Sequence, residues 1–337
     1  MKGVVGLPTS AKVMKHVTNS IRNITTVLAL ACTLVSAQAQ SSRAESANSY
    51  LERGNSWLVK GEIERAIADY DLAIAFNPNA AQVYRNRGLA RHRNRDLSGA
   101  IADFDRAIQL NSRFIEAYVN RGAVRYDQAD WDGAISDNSK AIELDPREAR
   151  AWYTRGIARY NKKELTAAVA DFDQAIKLNS KLAEAYEARG IIRHLQDDFA
   201  GAISDFEKAI KLKPDFANAY FDRGSTRHLT GDLDGAMRDY DQAIRLDATN
   251  EDAYFNRARA WETKGEFVRA ITDYDHAIHL NPTYSYAYGR RGIVKLRQGK
   301  EAVAQQDFDE CLKLNPLLKA DVEQLIKQTK QQLAGKP

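Results

Sequence analysis

The sequence contains little cysteine and little proline, and it has no hydrophobic stretch long enough to span a membrane as a helix. There are two cysteines in 337 residues, Cys32 and Cys311. Cys32 lies in an N-terminal apolar segment, so removal of that segment leaves Cys311 without an intrachain disulfide partner. With 7 prolines and 44% hydrophobic residues, the composition is that of a folded chain. We therefore expect its stability to come from packing.

The chain also lacks a genuine excess of positive charge. Its formal net charge of +4 arises from four basic residues within residues 1–39, a segment that has no acidic residue. Of the 49 Lys and Arg residues, 45 remain beyond that segment, and they balance 45 Asp and Glu residues. Nucleic-acid binding usually requires a strong positive field. We therefore expect no nucleic-acid partner.

The first 39 residues have the pattern of a secretory signal peptide. Basic residues precede the apolar run 24–35, which is shorter than the roughly 20 residues of a transmembrane helix. The small residues of Ala37-Gln38-Ala39 follow, as at a cleavage site. We expect cleavage after Ala39, a short linker over 40–46, and a mature protein that is periplasmic or secreted, with no membrane span.

Three alternatives concern this N-terminal segment. Translation can start at Met1 or at Met14, because both starts leave basic residues before the apolar run. We expect no lipid on Cys32, since the leucine normally found three positions before a lipidated cysteine is replaced by Ala29. The segment can also remain as an uncleaved anchor, which likewise places the body outside the cytoplasm.

A 34-residue repeat dominates the rest of the chain. One column is small: Gly54, Gly88, Gly122, Gly156, Gly190, Gly224, Ala258 and Gly292. Twelve residues later stands alanine: Ala66, Ala100, Ala134, Ala168, Ala202, Ala236, Ala270 and Ala304. Four further on the column is aromatic, with one exception: Tyr70, Phe104, Asn138, Phe172, Phe206, Tyr240, Tyr274 and Phe308. Three beyond that, seven alanines and Cys311 complete the pattern.

This order of small and aromatic residues at this period resembles the tetratricopeptide-repeat (TPR) family. The resemblance covers residues 47–318, about four fifths of the chain. It implies an all-α fold, an α-α superhelix of eight helix-turn-helix repeats followed by a capping helix within 319–337. The repeats would span 47–80, 81–114, 115–148, 149–182, 183–216, 217–250, 251–284 and 285–318.

The residues predict two amphipathic helices in each repeat even without the family. Apolar residues recur at helical spacing, as in the second helix of repeat 1 at Ile63, Ile67, Tyr70 and Ile74. Turn residues such as Gly61 separate the two helices. The small columns allow neighbouring helices to approach closely. Asn138, a polar residue in the aromatic column, marks a weak point or a special packing site.

Arg and Asp recur in step in all eight repeats. Arg precedes the small column at Arg53, Arg87, Arg121, Arg155, Arg189, Arg223, Arg257 and Arg291. Asp precedes the aromatic column at Asp69, Asp103, Asp137, Asp171, Asp205, Asp239, Asp273 and Asp307. Because an Arg can hold a carboxylate through two parallel hydrogen bonds, we predict one ion pair within each repeat. The alternative is an Arg stripe that binds phosphate.

The resemblance also implies where a ligand binds. In the TPR family the first helices line a concave surface, with positions 2, 5, 6, 9, 12 and 13 of each repeat facing it. The candidate partner-binding residues at such positions are Asn86, Asn120, Tyr126, Tyr153, Tyr160, His194, Phe221, His228, Phe255, Asn256, Arg259, Arg290 and Arg297. The asparagines resemble, incompletely, the asparagine ladder that holds peptide backbones in O-GlcNAc transferases. An amide can both donate to and accept from a backbone.

Two groups of these residues allow different interpretations. The Tyr and His side chains offer the stacking surface common at binding hot spots, or they pack against neighbouring helices. The cluster of Arg259, Arg290 and Arg297 can receive an acidic side chain or a C-terminal carboxylate, or it is solvated surface. The carboxylate clamp of some TPR proteins is not expected, because Leu51 and Glu116 stand where it needs lysine.

These patterns favour a binding protein over an enzyme. The sequence has no G-x-S-x-G, H-E-x-x-H or C-x-x-C motif, and the repeats leave no room for a catalytic domain. We expect no cofactor and no metal site. The function predicted is that of an exported scaffold or adaptor that binds a partner protein or an extended peptide. The alternatives are a self-associating structural array and a module that binds a glycan or another small ligand.

Overall fold

The structure is a computed structural model that describes residues 45–334. The predicted signal peptide, Cys32 and the linker up to residue 44 lie outside the described residues. The described part of the chain forms helices and turns, without a β-strand. Its helices follow one another as pairs joined by short turns, so the predicted all-α class of stacked helix-turn-helix repeats is confirmed.

Each repeat consists of an A helix followed by a B helix. The A helices are α1 (45–59), α3 (Ala81–Arg93), α5 (Ile115–Asp127), α7 (Ala149–Asn161), α9 (Ala183–Leu195), α11 (Ala217–Leu229), α13 (Glu251–Thr263) and α15 (Ser285–Arg297). The B helices are α2 (Ile63–Phe76), α4 (Leu97–Leu110), α6 (Trp131–Leu144), α8 (Leu165–Leu178), α10 (Phe199–Leu212), α12 (Leu233–Leu246), α14 (Phe267–Leu280) and α16 (Glu301–Leu314). A 3-10 turn, Pro316–Leu318, leads into α17 (Lys319–Ala334).

The small and aromatic columns meet inside each helix pair. Phe104 in α4 is fully buried, and its ring packs against the backbone of α3 at Gly88. A Cβ atom on Gly88 would lie 2.8 Å from Phe104 Cε1, closer than carbon atoms normally approach. The absence of a side chain in the glycine column thus allows the two helices to pack closely, as predicted.

The turn between the A and B helices contains one residue in the left-handed region of every repeat. Glycine occupies it in four repeats, at Gly61, Gly231, Gly265 and Gly299. Non-glycine residues occupy it in the other four, at Arg95, Ala129, Lys163 and Asp197. The next residue is the N-cap of the B helix. In four repeats it is an aspartate whose carboxylate accepts a hydrogen bond from a backbone N–H of the first turn: Asp96, Asp130, Asp198 and Asp232.

The helices divide into two compact units, with the boundary between Pro146 and Arg147. In the second unit, α17 covers the end of repeat 8 through Val322, Leu325 and Ile326, which pack near Phe308. This is the predicted capping helix. Between residues 45 and 334, no helix has both the length and the apolar character that crossing a bilayer requires.

Candidate functional site

The Arg and Asp columns form an ion pair within every repeat, and this prediction is confirmed. Each Arg donates from Nε and Nη2 to the two carboxylate oxygens of its Asp, over distances of 2.5–3.0 Å. The Asp side chains are nearly inaccessible; that of Asp103 is 3% exposed. Two parallel bonds to a buried carboxylate fix the A helix against the B helix.

In repeats 2–6 the pair belongs to a larger network that the sequence did not predict, because a second arginine donates to the same aspartate. In repeat 2, a second arginine, Arg91, donates to Asp103 Oδ2 at 2.9 Å. Arg87 also donates from Nη1 to Asp71 of the preceding repeat at 2.5 Å. Its guanidinium lies over the ring of Tyr84, 5.6 Å from the centroid. Since the guanidinium of Arg87 contacts a ring and two carboxylates, its contacts are structural, and the pairing of every column Arg with its own Asp favours a structural column over a phosphate-binding stripe.

The surface that remains for a ligand is here called the A-helix face, meaning positions 2, 5, 6, 9, 12 and 13 of each repeat. In the first unit, Asn86 is 6% exposed, and its amide already has partners: Oδ1 accepts from Gln82 at 2.9 Å, and Nδ2 donates to Asn55 at 2.8 Å. Asn120 is 4% exposed, and its Nδ2 has no hydrogen-bond partner within the described residues. The two predicted asparagines of this unit therefore differ, because Nδ2 of Asn86 donates to Asn55 whereas Nδ2 of Asn120 has no partner among the described residues.

Position 12 of the first unit contributes one ionisable and one aromatic side chain. His92 Nε2 lies 2.6 Å from Asp127 Oδ2, across one repeat. Tyr126, a predicted partner-binding residue, is partly buried on the same face. Both side chains remain partly accessible, as a contact surface requires.

In the second unit, the predicted aromatic residues at position 5 pack on the aromatic column of their own repeats. Tyr153 lies 6.0 Å from Phe172, measured between ring centroids. The corresponding distance is 6.1 Å between Phe221 and Tyr240. These rings, together with Phe255, which lies 5.7 Å from Tyr274, are only partly buried. They support the helix pair and remain partly accessible.

Two predicted histidines in this unit are held in partly buried surroundings. His194 Nδ1 lies 2.8 Å from Thr226 Oγ1. Burial lowers the pKa of His194. Burial, and then the positive charge of Arg259, lower the pKa of His228. Both histidines therefore favour the neutral form, in which one ring nitrogen donates and the other accepts. Tyr160 is partly buried on the same face.

An acidic group that the sequence analysis did not select lies in repeats 5 and 6. Burial, and then the charge of Glu184, raise the pKa of Glu187 to about 7, against the opposing effect of Lys213. Burial, and then Glu187, hold the pKa of Asp222 well above its usual range. The sequence signal was Asp222 itself, which interrupts the asparagine positions. Two carboxyls with displaced pKa values on one face are the kind of group found at functional sites.

The predicted arginine cluster in repeats 7 and 8 is organised by a buried glutamate. Glu262 is 7% exposed, and its Oε2 accepts a hydrogen bond from Tyr274 at 2.9 Å. Its Oε1 lies 3.2 Å from Arg297 Nη1 and 3.7 Å from Arg290 Nη1. Two arginines share one carboxylate, so this group keeps an excess positive charge.

Arg259 and Asn256 complete this cluster. Arg259 Nη1 lies 3.4 Å from Asn256 Oδ1, and Asn256 Nδ2 donates to the backbone carbonyl of Asp252 at 2.9 Å. Glu262 stands at position 12 of repeat 7 and is not among the predicted partner-binding residues. Its separation from Arg290 and Arg297, 28 and 35 residues, is close to one repeat and was the signal that could have identified it.

The second unit thus brings two groups of predicted residues together: His228 near Arg259, and Arg290 near Arg297. It does not join His194 to His228 by a hydrogen bond, because His194 bonds Thr226. Within residues 45–334, no three His, Cys, Asp or Glu side chains form a group able to hold a metal ion.

Comparisons with known proteins agree with this architecture. Family models described as TPR repeat or tetratricopeptide repeat match residues 54–94, 119–192, 183–216 and 225–265, which together span more than half of the chain. No curated protein matches the sequence.

Three solved structures of low sequence identity share this fold. A tetratricopeptide repeat protein from Parabacteroides merdae ATCC 43184 is 18% identical, with coverage of 80% of this chain and 99% of its own, at a TM-score of 0.56. PilF of Pseudomonas aeruginosa is 18% identical, with coverage of 61% of this chain and 94% of its own, at a TM-score of 0.56.

The third is the Cut9–Hcn1 structure, from an APC/C hetero-tetramer, which is 15% identical. It covers 83% of this chain, while this chain covers 55% of it, and the TM-score is 0.63. At these identities the structural likeness shows the fold alone, whereas the family models match the sequence itself. The chain belongs to the tetratricopeptide-repeat family.

Proposed function

We propose that this TPR protein is an exported adaptor that binds an extended segment of a partner protein along its A-helix face. The general part follows from the family, because TPR proteins are scaffolds for protein interaction and are generally not enzymes. Which face binds, what it binds and where the protein acts belong to the proposal.

The observation that supports this face is its chemistry. The residues that hold the helix pairs together recur in every repeat, whereas the A-helix face differs from repeat to repeat. At position 6 the residues are Glu52, Asn86, Asn120, Thr154, Ala188, Asp222, Asn256 and Arg290. Several of these side chains are polar or charged yet partly or fully withdrawn from water. Within each unit, different and partly desolvated polar groups on neighbouring repeats suit recognition of a particular segment.

The test is capture of a partner by the mature protein, residues 40–337, with the contact mapped by cross-linking. A variant with Tyr126→Ala, Tyr160→Ala and His228→Ala removes side chains from the A-helix face. The matched control carries Lys177→Ala, Lys211→Ala and Arg245→Ala, three exposed residues of B helices. Both variants should keep the helical circular dichroism of the parent.

We expect the control to capture the same partner as the parent, and the A-helix variant to lose it. A partner retained by the A-helix variant and lost by the control would move the binding surface to the B helices. Capture of this chain alone, with an elution volume that depends on concentration, would favour self-association instead.

Export is the second part of the proposal, and it is supported by the basic, apolar and small-residue pattern of residues 1–39. N-terminal sequencing of the protein from envelope and soluble fractions tests it. We expect a mature N-terminus at Gln40 in a fraction outside the cytoplasm. An intact N-terminus in the cytoplasmic fraction would overturn the proposal of export while leaving the binding test unchanged.

A further inference from the structure

An apolar cavity lies in the second unit between α15 and the capping helix α17. Its volume is about 360 Å³, within the range of small-ligand sites. Its lining includes Gly289, Ile293, Cys311, Leu318, Val322 and Leu325, together with charged and amide side chains, among them Arg290. Tyr286, another lining residue, is 55% exposed, so the cavity is adjacent to accessible surface.

The cavity exists because repeat 8 lacks a side chain that other repeats have. Position 5 is Phe221 in repeat 6 and Phe255 in repeat 7, and each ring packs on the aromatic column of its own repeat. Repeat 8 has Gly289 at this position. A Cβ atom there would lie 3.2 Å from Cys311 Sγ and 4.0 Å from Val322 Cγ2. The contact with Sγ is tight, so a side chain at residue 289 also requires a smaller residue than Cys311, and the cavity lies beside both residues.

Part of the cavity lining is charged. Arg290 has a side chain that is 34% exposed, and its nearest acidic partner is Glu262 at 3.7 Å. Glu262 is closer to Arg297, at 3.2 Å, so one carboxylate is shared between two guanidinium groups. Asp321 is the acidic residue among the lining residues. An apolar cavity beside an arginine whose charge is incompletely neutralised fits a ligand that carries a bulky apolar group next to an anionic group.

We propose that this cavity binds one aromatic side chain of the partner segment, and that Arg290 binds an acidic side chain of the same segment. The segment supplies in trans the ring that Phe221 and Phe255 supply within their own repeats. The inference rests on the proposed function, since the ring is offered by a segment bound along the A-helix face. It makes that function more specific, because the part of the segment that binds repeat 8 carries an aromatic residue next to an acidic one.

Three blocked tetrapeptides serve as probes: Ac-Gly-Phe-Asp-Gly-NH2, Ac-Gly-Ala-Asp-Gly-NH2 and Ac-Gly-Phe-Asn-Gly-NH2. Binding to the full chain is measured by ligand-observed NMR titration. Because burial of a Phe side chain is worth about 1.5–3 kcal/mol, the Phe-Asp peptide should bind at least about tenfold more tightly than the Ala-Asp peptide. It should also bind more tightly than the Phe-Asn peptide, and that difference should shrink in high salt.

A variant in which the cavity is filled serves as the control. Gly289→Phe with Cys311→Ala reproduces the combination that repeat 7 already has, Phe255 with Ala277. The substitution replaces a helical glycine by a residue that this fold accommodates at the same position. We expect a thermal midpoint at least equal to that of the parent, and loss of the preference for the Phe-Asp peptide.

Cys311 offers a second measurement that needs no variant. It is a free, buried thiol in the cavity lining. The Phe-Asp peptide should slow maleimide labelling of Cys311, read by peptide mass mapping, and the Ala-Asp peptide should not. Equal binding of the Phe-Asp and Ala-Asp peptides, unchanged binding by the filled variant, or no protection of Cys311 would each overturn the inference. The Tyr126, Tyr160 and His228 substitutions lie outside repeat 8, so the capture experiment tests the proposed function separately.

Discussion

The buried aspartates of the Arg–Asp network are the residues whose removal should cost the most. Asp103 is 3% exposed and accepts hydrogen bonds from both Arg87 and Arg91. Asp71 bonds the same Arg87 but is 52% exposed. Loss of a carboxylate from a buried ion pair leaves its partners charged and desolvated, whereas an exposed pair is compensated by water. The two aspartates therefore form a matched pair for mutation.

We predict that Asp103→Asn destabilises the first unit by about 3 kcal/mol and that Asp71→Asn costs about 1 kcal/mol or less. Urea unfolding, with hydrogen exchange to locate the effect in α3 and α4, measures both. Equal effects of the two substitutions would contradict the burial argument.

The displaced pKa of Glu187 predicts a pH-dependent stability. The folded protein holds a proton on Glu187 up to a pKa of about 7, and the ordinary value is 4.5. Because the folded state binds more protons between these values, stability should fall as pH rises through this window. Glu187→Gln should make the second unit more stable at pH 8 and should reduce the slope of stability against pH.

Urea unfolding at a series of pH values checks this prediction, with Glu116→Gln, an exposed position, as the control. Part of the slope should remain in Glu187→Gln, because the pKa of Asp222 is also raised. Adding Asp222→Asn should remove that part. A slope that both substitutions leave intact would show that neither carboxyl is its source.

At the scale of the helix pair, a substitution in the turn between the A and B helices should increase the stability of the fold. Ala129 has a φ of 59°, and glycine occupies the same position in repeats 1, 6, 7 and 8. Glycine adopts this region without the steric cost that a Cβ atom imposes, although it also increases the entropy of the unfolded chain.

We predict that Ala129→Gly stabilises the first unit by about 0.5–1 kcal/mol. Gly231→Ala, the reverse change in the second unit, should destabilise by a similar amount. A Cβ atom on Gly231 meets no atom within 4 Å, so its effect reports backbone conformation and not a clash. Thermal and urea midpoints of both variants test the direction of each stability change. A loss of stability in Ala129→Gly would refute the argument.

At the scale of the whole molecule, repeats contact mainly their neighbours, so a local change should spread only to adjacent helices. Asn138 is fully buried in the aromatic column; its Nδ2 donates to Ala134 O at 2.8 Å, and its Oδ1 has no partner in the described part of the chain. The polar side chain stands opposite Gly122, in the place where Phe104 stands opposite Gly88.

We predict that Asn138→Phe stabilises the first unit by about 1–3 kcal/mol, because it removes an unsatisfied buried polar group and fills the space as in repeat 2. Hydrogen exchange should slow most in α5 and α6 and least in α1 and α2. Asn138→Ala, which removes the amide without filling the space, is the control and should not stabilise to the same extent. Faster exchange in α5 of Asn138→Phe would mean that the site cannot accept a ring.

The period, the helix pairs and the Arg–Asp pair of each repeat were all determined by the sequence alone. They depend on spacings within 34 residues that occur eight times, so the register of one repeat predicts the others. The A-helix face was located by family resemblance, and its binding role stays a prediction. The signal peptide and the place of export also stay predictions, since those residues lie outside the described part of the chain.

Only the tertiary structure decided which neighbours those residues meet. The spacing of Arg87 predicted its bond to Asp103, but its contacts with Asp71 and Tyr84 depend on how adjacent helices stack. Glu262 became the counterion of two arginines, and Gly289 left a cavity, because repeats that share a backbone differ in their side chains. Such differences have no period, and their consequences follow from distances between helices that a single sequence does not contain.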